Sequence, residues 1–313
     1  MQKIYNYIIG FLINLLNDIF LFRYLLTISF KRFRIHFTTL FIVYFKFLKN
    51  KSFYKKQIID FKSLKENKKT DKLFIFGSGA SIKEIDDEAW KKINAYDSLG
   101  FNGTFRLEKV DFNYHILRAG NESPNIDGNF LNDEITYAKY IMTIINKNIY
   151  LKKTIFLFSR GISQHFPNLL LGYKFWNKNN LIYRYNTNKF DKYPKGNISR
   201  GLIHRIGTLM DAITFGYHMG YKEIILVGID LYNNEYFWTE KNKTTRYDRA
   251  LGVEVDSNNN FDGVNVNDPH NTVNNGIINS VDEWGIYFKK KNIKLSIYNP
   301  KSLLNKVLPI FKF

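Results

Sequence analysis

Four short groups of residues in this chain have types and spacings suited to chemistry. The first is Gly77-Ser78-Gly79-Ala80-Ser81, which follows the apolar run Leu-Phe-Ile-Phe at 73–76. Two glycines allow the backbone to approach a ligand closely, and a helix opening after such a turn offers unpaired N–H groups to an anion. The third position of the dinucleotide fingerprint is Ile82 rather than glycine, so a bridged pyrophosphate is disfavoured. An ordinary strand-to-helix turn capped by a serine is the competing reading. The second group, Gly228-Ile229-Asp230-Leu231-Tyr232 with Tyr236, ends another apolar run. There Asp230 can accept a bond from a ribose hydroxyl, while Tyr232 and Tyr236 can donate O–H bonds to a phosphate. Tyr232 reads equally as a core aromatic.

The third is His270, within Asp-Pro-His-Asn-Thr. Its near-neutral pKa makes histidine the default base for activating a hydroxyl, although a lone loop histidine is often only solvated. The fourth is Asn102, in Phe-Asn-Gly after the run 97–101. The chain has no cysteine, no Asp-x-Asp and no Walker-type phosphate loop. A thiolate metal site is therefore ruled out, and a metal-bridged nucleotide-sugar site is not expected.

These groups need a scaffold, and the apolar runs supply one. Strands are expected at Leu73–Phe76, Asp97–Phe101, Phe112–Leu117, Thr154–Phe158, Glu223–Val227 and Lys294–Tyr298, with helices at Ser81–Asn94, Arg205–Met219 and Val281–Lys291. Strands alternating with helices argue an α/β domain, Rossmann-like, with a mostly parallel sheet covered on both faces. In such sheets ligands bind beyond the carboxyl ends of the strands. Those ends carry Ser78, Asn102, Arg118, Ser159 and Asp230. The stretch from Tyr232 to His270 is poor in structure signals, which suggests a lid at about 240–268 or else a surface insertion.

Of the formal charge of +18, residues 1–70 hold +11, from fourteen Lys/Arg against Asp18, Asp60 and Glu66. Long apolar runs are mixed with these cations, which suits an anionic membrane surface better than nucleic acid. The longest uncharged run, Ile4 to Asn17, is 14 residues, short of the roughly 20 that a spanning helix needs. Residues 1–50 are thus expected to form a membrane-associating helical segment lying on the surface. A span, or packing on the protein's own core or on a partner, are the alternatives. The first alanine is Ala80, so no small-residue cleavage site follows the apolar run and a secretory signal is not expected. Residues 51–71 read as a basic linker and 72–313 as the main domain.

Over about residues 72–305 the chain resembles the bacterial sialyltransferases that decorate lipooligosaccharide, a family with a single-sheet variant of the GT-A fold. The family's opening turn, Gly-Asn-Gly-Pro-Ser-Leu-Lys-Glu-Ile, is similar to Gly77-Ser78-Gly79-Ala80-Ser81-Ile82-Lys83-Glu84-Ile85. Its arginine, helix and Gly-Tyr-Lys-Glu-Ile strand ending in Gly-Ile-Asp-Phe-Tyr is similar to Arg205, Gly220–Ile224 and Gly228–Tyr232. A Pro-Asn-Ser-Leu-Leu segment after the last strand matches Pro300-Lys301-Ser302-Leu303-Leu304.

The resemblance implies a glycosyltransferase that moves sialic acid, or a related keto acid sugar, from a CMP-activated donor to a sugar hydroxyl of a surface glycolipid. Transfer would invert the anomeric centre, without a metal or other cofactor, on the cytoplasmic face of the bacterial inner membrane. It implies His270 as base, Tyr232 and Tyr236 on the leaving phosphate, and Arg205 in the catalytic group. Gly77, Ser78, Gly79, Ser81, Asn102, Thr208 and Asp230 would hold the donor. Three positions and one spacing depart from the family pattern. Ser78 stands for an asparagine, Trp238 holds the place of the second tyrosine, Arg118 replaces a further asparagine, and the span from His270 to Pro300 is longer. Two other readings compete: a relative of the pterin pyrophosphokinase-like or flagellin-glycosylation accessory proteins, and a non-catalytic basic adaptor for membrane or nucleic acid.

Overall fold

The computed structural model describes residues 30–118, 130–161, 165–176, 180–238, 260–261, 264–265 and 269–313. Its centre is an eight-stranded sheet in which every pairing is parallel. In chain order the main-sheet strands are β1 (Ile58–Ile59), β2 (Lys72–Phe76), β3 (Asp97–Phe101), β4 (Tyr114–Ile116), β5 (Ile155–Ser159) and β6 (Ile182–Tyr185). Short strands β7 (Thr187–Asn188) and β8 (Leu202–Ile203) pair beside it, followed by β9 (Glu223–Val227) in the main sheet. The two-residue strands β10 (Asn260–Phe261) and β11 (Val264–Asn265) form a separate antiparallel pair, and β12 (Lys294–Ile297) returns to the main sheet. The order across the main sheet is β1-β6-β5-β4-β3-β2-β9-β12.

Strand composition explains the burial of both faces. Alternate residues of β2 divide between two apolar layers, Leu73 and Ile75 on one side and Phe74 and Phe76 on the other. The same division holds for Ile155 and Leu157 against Phe156 and Phe158, and for Ile224 and Leu226 against Ile225 and Val227. Continuous apolar runs of this kind suit a parallel sheet covered on both sides.

Eight α-helices are described: α1 (Phe30–Asn50), α2 (Phe61–Glu66), α3 (Asp87–Ile93), α4 (Phe130–Lys147), α5 (His165–Gly172), α6 (Thr208–Met219), α7 (Asn271–Asn274) and α8 (Ile277–Lys289). Side chains of α6 and α8 enter one layer, and those of α1, α3, α4 and α5 the other. The α/β expectation holds at this level.

Several boundaries differ from the sequence expectation, each for a local reason. The expected helix 81–94 is split: a 3₁₀ turn covers Ala80–Glu84, and α3 starts afresh where Asp86 accepts from the N–H of Ala89 at 2.7 Å. A second cap competing with a continuous helix explains the break. Helix α6 starts at Thr208 rather than Arg205, because the extended Gly207 precedes it. The segment 51–71 is not a free linker. Its β1 pairs with β6 through Ile58↔Ile182, and Tyr54 and Leu64 are fully buried.

In the same way, the carboxyl half of α1 lies on the protein itself, with Leu40, Val43 and Phe47 buried against the layer that includes α5. The Asn50 side chain donates to the carbonyl of Gly172 at 2.8 Å. Packing on the core, the alternative reading for this segment, therefore holds for its last turns. Residues 1–29 lie outside the described residues. Among the described residues no helix is long and apolar enough to cross a membrane.

Candidate functional site

The chain crosses from β2 through β3 to β6 in one direction along the sheet, then returns to place β9 on the other side of β2. Loops leaving the carboxyl ends of β2 and β9 therefore diverge, opening a crevice at the topological switch point. A cavity of about 430 Å³ occupies this place, within the usual range for small-molecule sites. Its walls include Gly77–Gly79, Asn102, His204, Tyr236, Trp238 and His270.

Backbone bonds fix the two diverging loops against each other. The N–H of Gly77 donates to Val227 and that of Gly79 to Gly228, both at 2.8 Å. A Cβ on Gly79 would lie 2.3 Å from Oδ2 of Asp230 and 2.8 Å from the Gly228 carbonyl oxygen, so this glycine is required by close approach. The serine carbonyl between the two glycines takes the N–H of Phe237 at 3.0 Å, and Gly79 bridges Tyr236. Ser78 is half-buried at the cavity wall.

Asp230 is almost fully buried, and its carboxylate already has partners. Oδ2 accepts the N–H of Ser81 at 2.9 Å; Oδ1 accepts the Ser81 hydroxyl at 2.5 Å and the side-chain amide of Asn299 at 2.9 Å. The two residues expected to hold a donor are thus bonded to each other. Asp230 still touches the cavity, yet its first task is to clamp the β9 loop to the β2 turn and to the segment after β12.

Tyr232 does not line the cavity. The preceding Leu231 has a φ of 64°, and the chain turns so that the tyrosine hydroxyl bonds with Asn299, near the ion pair of Glu84 and Lys301. Partial burial, then the nearby Asp230 and Glu84, push its pKa up. Arg205 is exposed and also lies off the cavity, because the helix expected to carry it begins three residues later. Tyr236 does face the cavity. Its ring stacks on Trp238 at 4.8 Å with an interplanar angle of 3°. The guanidinium of Arg106 lies 5.0 Å from the Trp238 ring, a cation–π geometry.

Asn102 is exposed at the mouth, in the left-handed region at φ 52°, where the chain turns out of β3. Thr208, at the start of α6, lines the cavity, and no side chain caps this helix end. His270 enters from a backbone bond to Leu231 at 3.0 Å and caps α7, with Nδ1 accepting the N–H of Thr272 at 3.3 Å. Burial lowers its pKa below the ordinary 6.5, so the ring is neutral at pH 7.

The structure adds a cluster that the sequence did not single out. His204 lines the cavity and bonds through Nδ1 to Oδ2 of Asp211 at 2.5 Å, while Arg118 lies 3.8 Å from the same oxygen. The sequence pattern places His204 on the helix expected around Arg205–Met219 and gives it no role. The break at Gly207, which frees His204 from helical register, was the available signal. Among the described residues no group of His, Asp and Glu is placed to hold a metal ion. The segment expected as a lid lies outside the described residues except for β10 and β11. No protein-family model matches the chain, and no curated protein matches its sequence.

Proposed function

We propose that this protein is a glycosyltransferase that uses a CMP-activated donor, sialic acid or a related keto acid sugar, and transfers it to a sugar hydroxyl of a glycolipid at an anionic membrane surface. The observation that carries this reading is the make-up of the switch-point cavity. A Gly-Ser-Gly turn suited to one phosphate, an aromatic pair and two histidines meet in one space. A mononucleotide diester needs a close backbone approach and a stacking surface, and inverting transfer to a hydroxyl needs a base. The single-sheet GT-A variant is part of the same proposal. Tyr236, in the cavity, is the tyrosine that reaches the donor phosphate in this reading, and Tyr232 acts only through Asn299 and Asp230.

The test uses the full chain with membranes present. CMP is expected to raise the melting temperature more than UDP does, and CMP-sialic acid with a glycolipid acceptor is expected to release CMP. His270→Ala should abolish that release. No stabilisation by CMP together with no release from the donor would overturn the reading.

A further inference from the structure

Two histidines face one cavity, and their hydrogen bonds put the proton of each neutral ring on a different nitrogen. At His270, Nδ1 receives the backbone N–H of Thr272 at 3.3 Å and lies 2.8 Å from the Thr272 hydroxyl. A backbone N–H can only donate, so Nδ1 offers its lone pair and the ring proton of the neutral form sits on Nε2. At His204 the arrangement is reversed. Nδ1 faces the Asp211 carboxylate at 2.5 Å, which can only accept, so Nδ1 carries the proton and Nε2 keeps its lone pair. A carboxylate behind an imidazole fixes the tautomer and the orientation of the ring.

Asp211 itself supports a functional use. It is completely buried in the first turn of α6, yet its Oδ1 has no hydrogen-bond partner, and the Nη1 of Arg118 beside it has none either. Unsatisfied buried polar atoms of this kind are rare and call for an explanation. The backbone of His204 is held by its N–H bond to Asn188 at 2.8 Å, so the ring is presented from a fixed strand end beside β8.

We propose that His204, oriented by Asp211, takes the proton of the acceptor hydroxyl, and that His270 instead donates a hydrogen bond from Nε2–H to the departing phosphate and keeps that proton. This assignment rests on the transferase reading above and separates the base from the residue that steadies the leaving phosphate. The acceptor oxygen forms a bond to the anomeric carbon as its proton passes to Nε2 of His204. The bond from that carbon to the phosphate oxygen breaks, and its electron pair leaves with CMP. The new imidazolium is balanced by Asp211, whose charge Arg118 offsets before the proton arrives.

Two measurements test the assignment. In the first, ¹⁵N spectra of the ring nitrogens are recorded at neutral pH in the full chain, without any donor. His204 should show a protonated Nδ1 and a bare Nε2, and His270 the opposite; Asp211→Asn should shift the His204 pattern and leave that of His270 in place. A protonated Nε2 on His204 overturns the proposal, whether or not the protein handles CMP-sugars. In the second, turnover is compared with a sugar acceptor and with azide, an anionic nucleophile that has no proton to lose. His204→Gln should lower transfer to the sugar by about 10²- to 10⁴-fold while CMP release with azide stays within a few-fold of the unaltered protein. His270→Gln should lower both. Equal losses with both nucleophiles in His204→Gln would remove the base role. If the unaltered protein releases no CMP with either nucleophile, the transferase reading fails, and the spectra still decide which ring carries which proton.

Discussion

Ser81 donates both its backbone N–H and its hydroxyl to the carboxylate of Asp230, across 149 positions of sequence. The pair joins the turn after β2 to the loop after β9, whose Asp230 touches the cavity. Hydrogen bonds to a charged acceptor contribute about 1.5–3 kcal/mol each. Ser81→Ala removes the hydroxyl and leaves the backbone donor in place. Urea unfolding of this variant should show a loss of about that size, and an unchanged midpoint would mean that Asn299 and the backbone N–H satisfy the carboxylate without the hydroxyl.

Gly103 is pressed against Trp238. A Cβ there would stand 2.2 Å from the ring edge, with the rest of the wall behind it, so Gly103→Ala must displace the indole. If Trp238 and Tyr236 carry the base of the nucleotide, the displacement costs stacking of about 1–3 kcal/mol. CMP affinity, read by titration calorimetry, should fall roughly 5- to 150-fold on that scale. Tryptophan fluorescence should change in the same variant. A shifted emission with unaltered CMP affinity would separate the aromatic pair from nucleotide binding.

Burial lowers two further histidines, His115 to about 3 and His218 to about 4, from the ordinary 6.5. His115 is enclosed by Phe105, Phe112 and Phe156, with only the Thr104 hydroxyl at 3.1 Å as partner. A depressed histidine binds its proton in the unfolded chain before the folded one. Stability therefore falls as pH drops below about 6.5, by about 1.4 kcal/mol per pH unit for each such histidine, until about 4 for His218 and about 3 for His115. Denaturant unfolding at stepped pH should show this slope. In His115→Leu the slope should lessen by one proton's worth, and a slope unchanged by that substitution would count against the buried neutral ring.

The sheet was legible in the sequence because its strands are apolar on both faces. Runs such as Leu-Phe-Ile-Phe and Glu-Ile-Ile-Leu-Val admit few other structures, and β3 and β9 lie where the pattern put them. β6 was missed because Ile-Tyr-Arg-Tyr at 182–185 carries an arginine. That arginine is buried against the Phe47 ring and bonded to the Asn168 side chain, tertiary partners that no local pattern reveals. The site was half legible for a related reason. Strand ends mark which residues approach the crevice, and Ser78, Asn102 and Asp230 do approach it. Which way a side chain turns after the strand depends on backbone such as that of Leu231, whose left-handed φ sends Tyr232 away from the cavity. The Asp211–His204 pair depends on a helix start set by one extended glycine.

The amino-terminal segment yields the last prediction, because its two parts have different surroundings. Leu40 and Val43 in α1 are buried, whereas Ile42 and Phe45 are exposed at 41% and 61%. The buried stripe belongs to the core, and the exposed one faces outward on the same helix. Replacing a buried Leu with Ala costs about 2–5 kcal/mol, so Leu40→Ala should lower stability by about that amount in denaturant unfolding. Removing residues 1–50 takes away the whole buried stripe along with the Asn50 bond to Gly172, and that truncated chain, with the core it covered laid bare, should be far less stable or insoluble. Removing residues 1–29 leaves α1 whole and should keep the melting temperature within a few degrees. If surface attachment resides in the first 29 residues, this shorter truncation should also release the protein from vesicles of anionic lipid in a sedimentation assay. Retention on those vesicles would assign attachment to the exposed face of α1 and the basic residues around it.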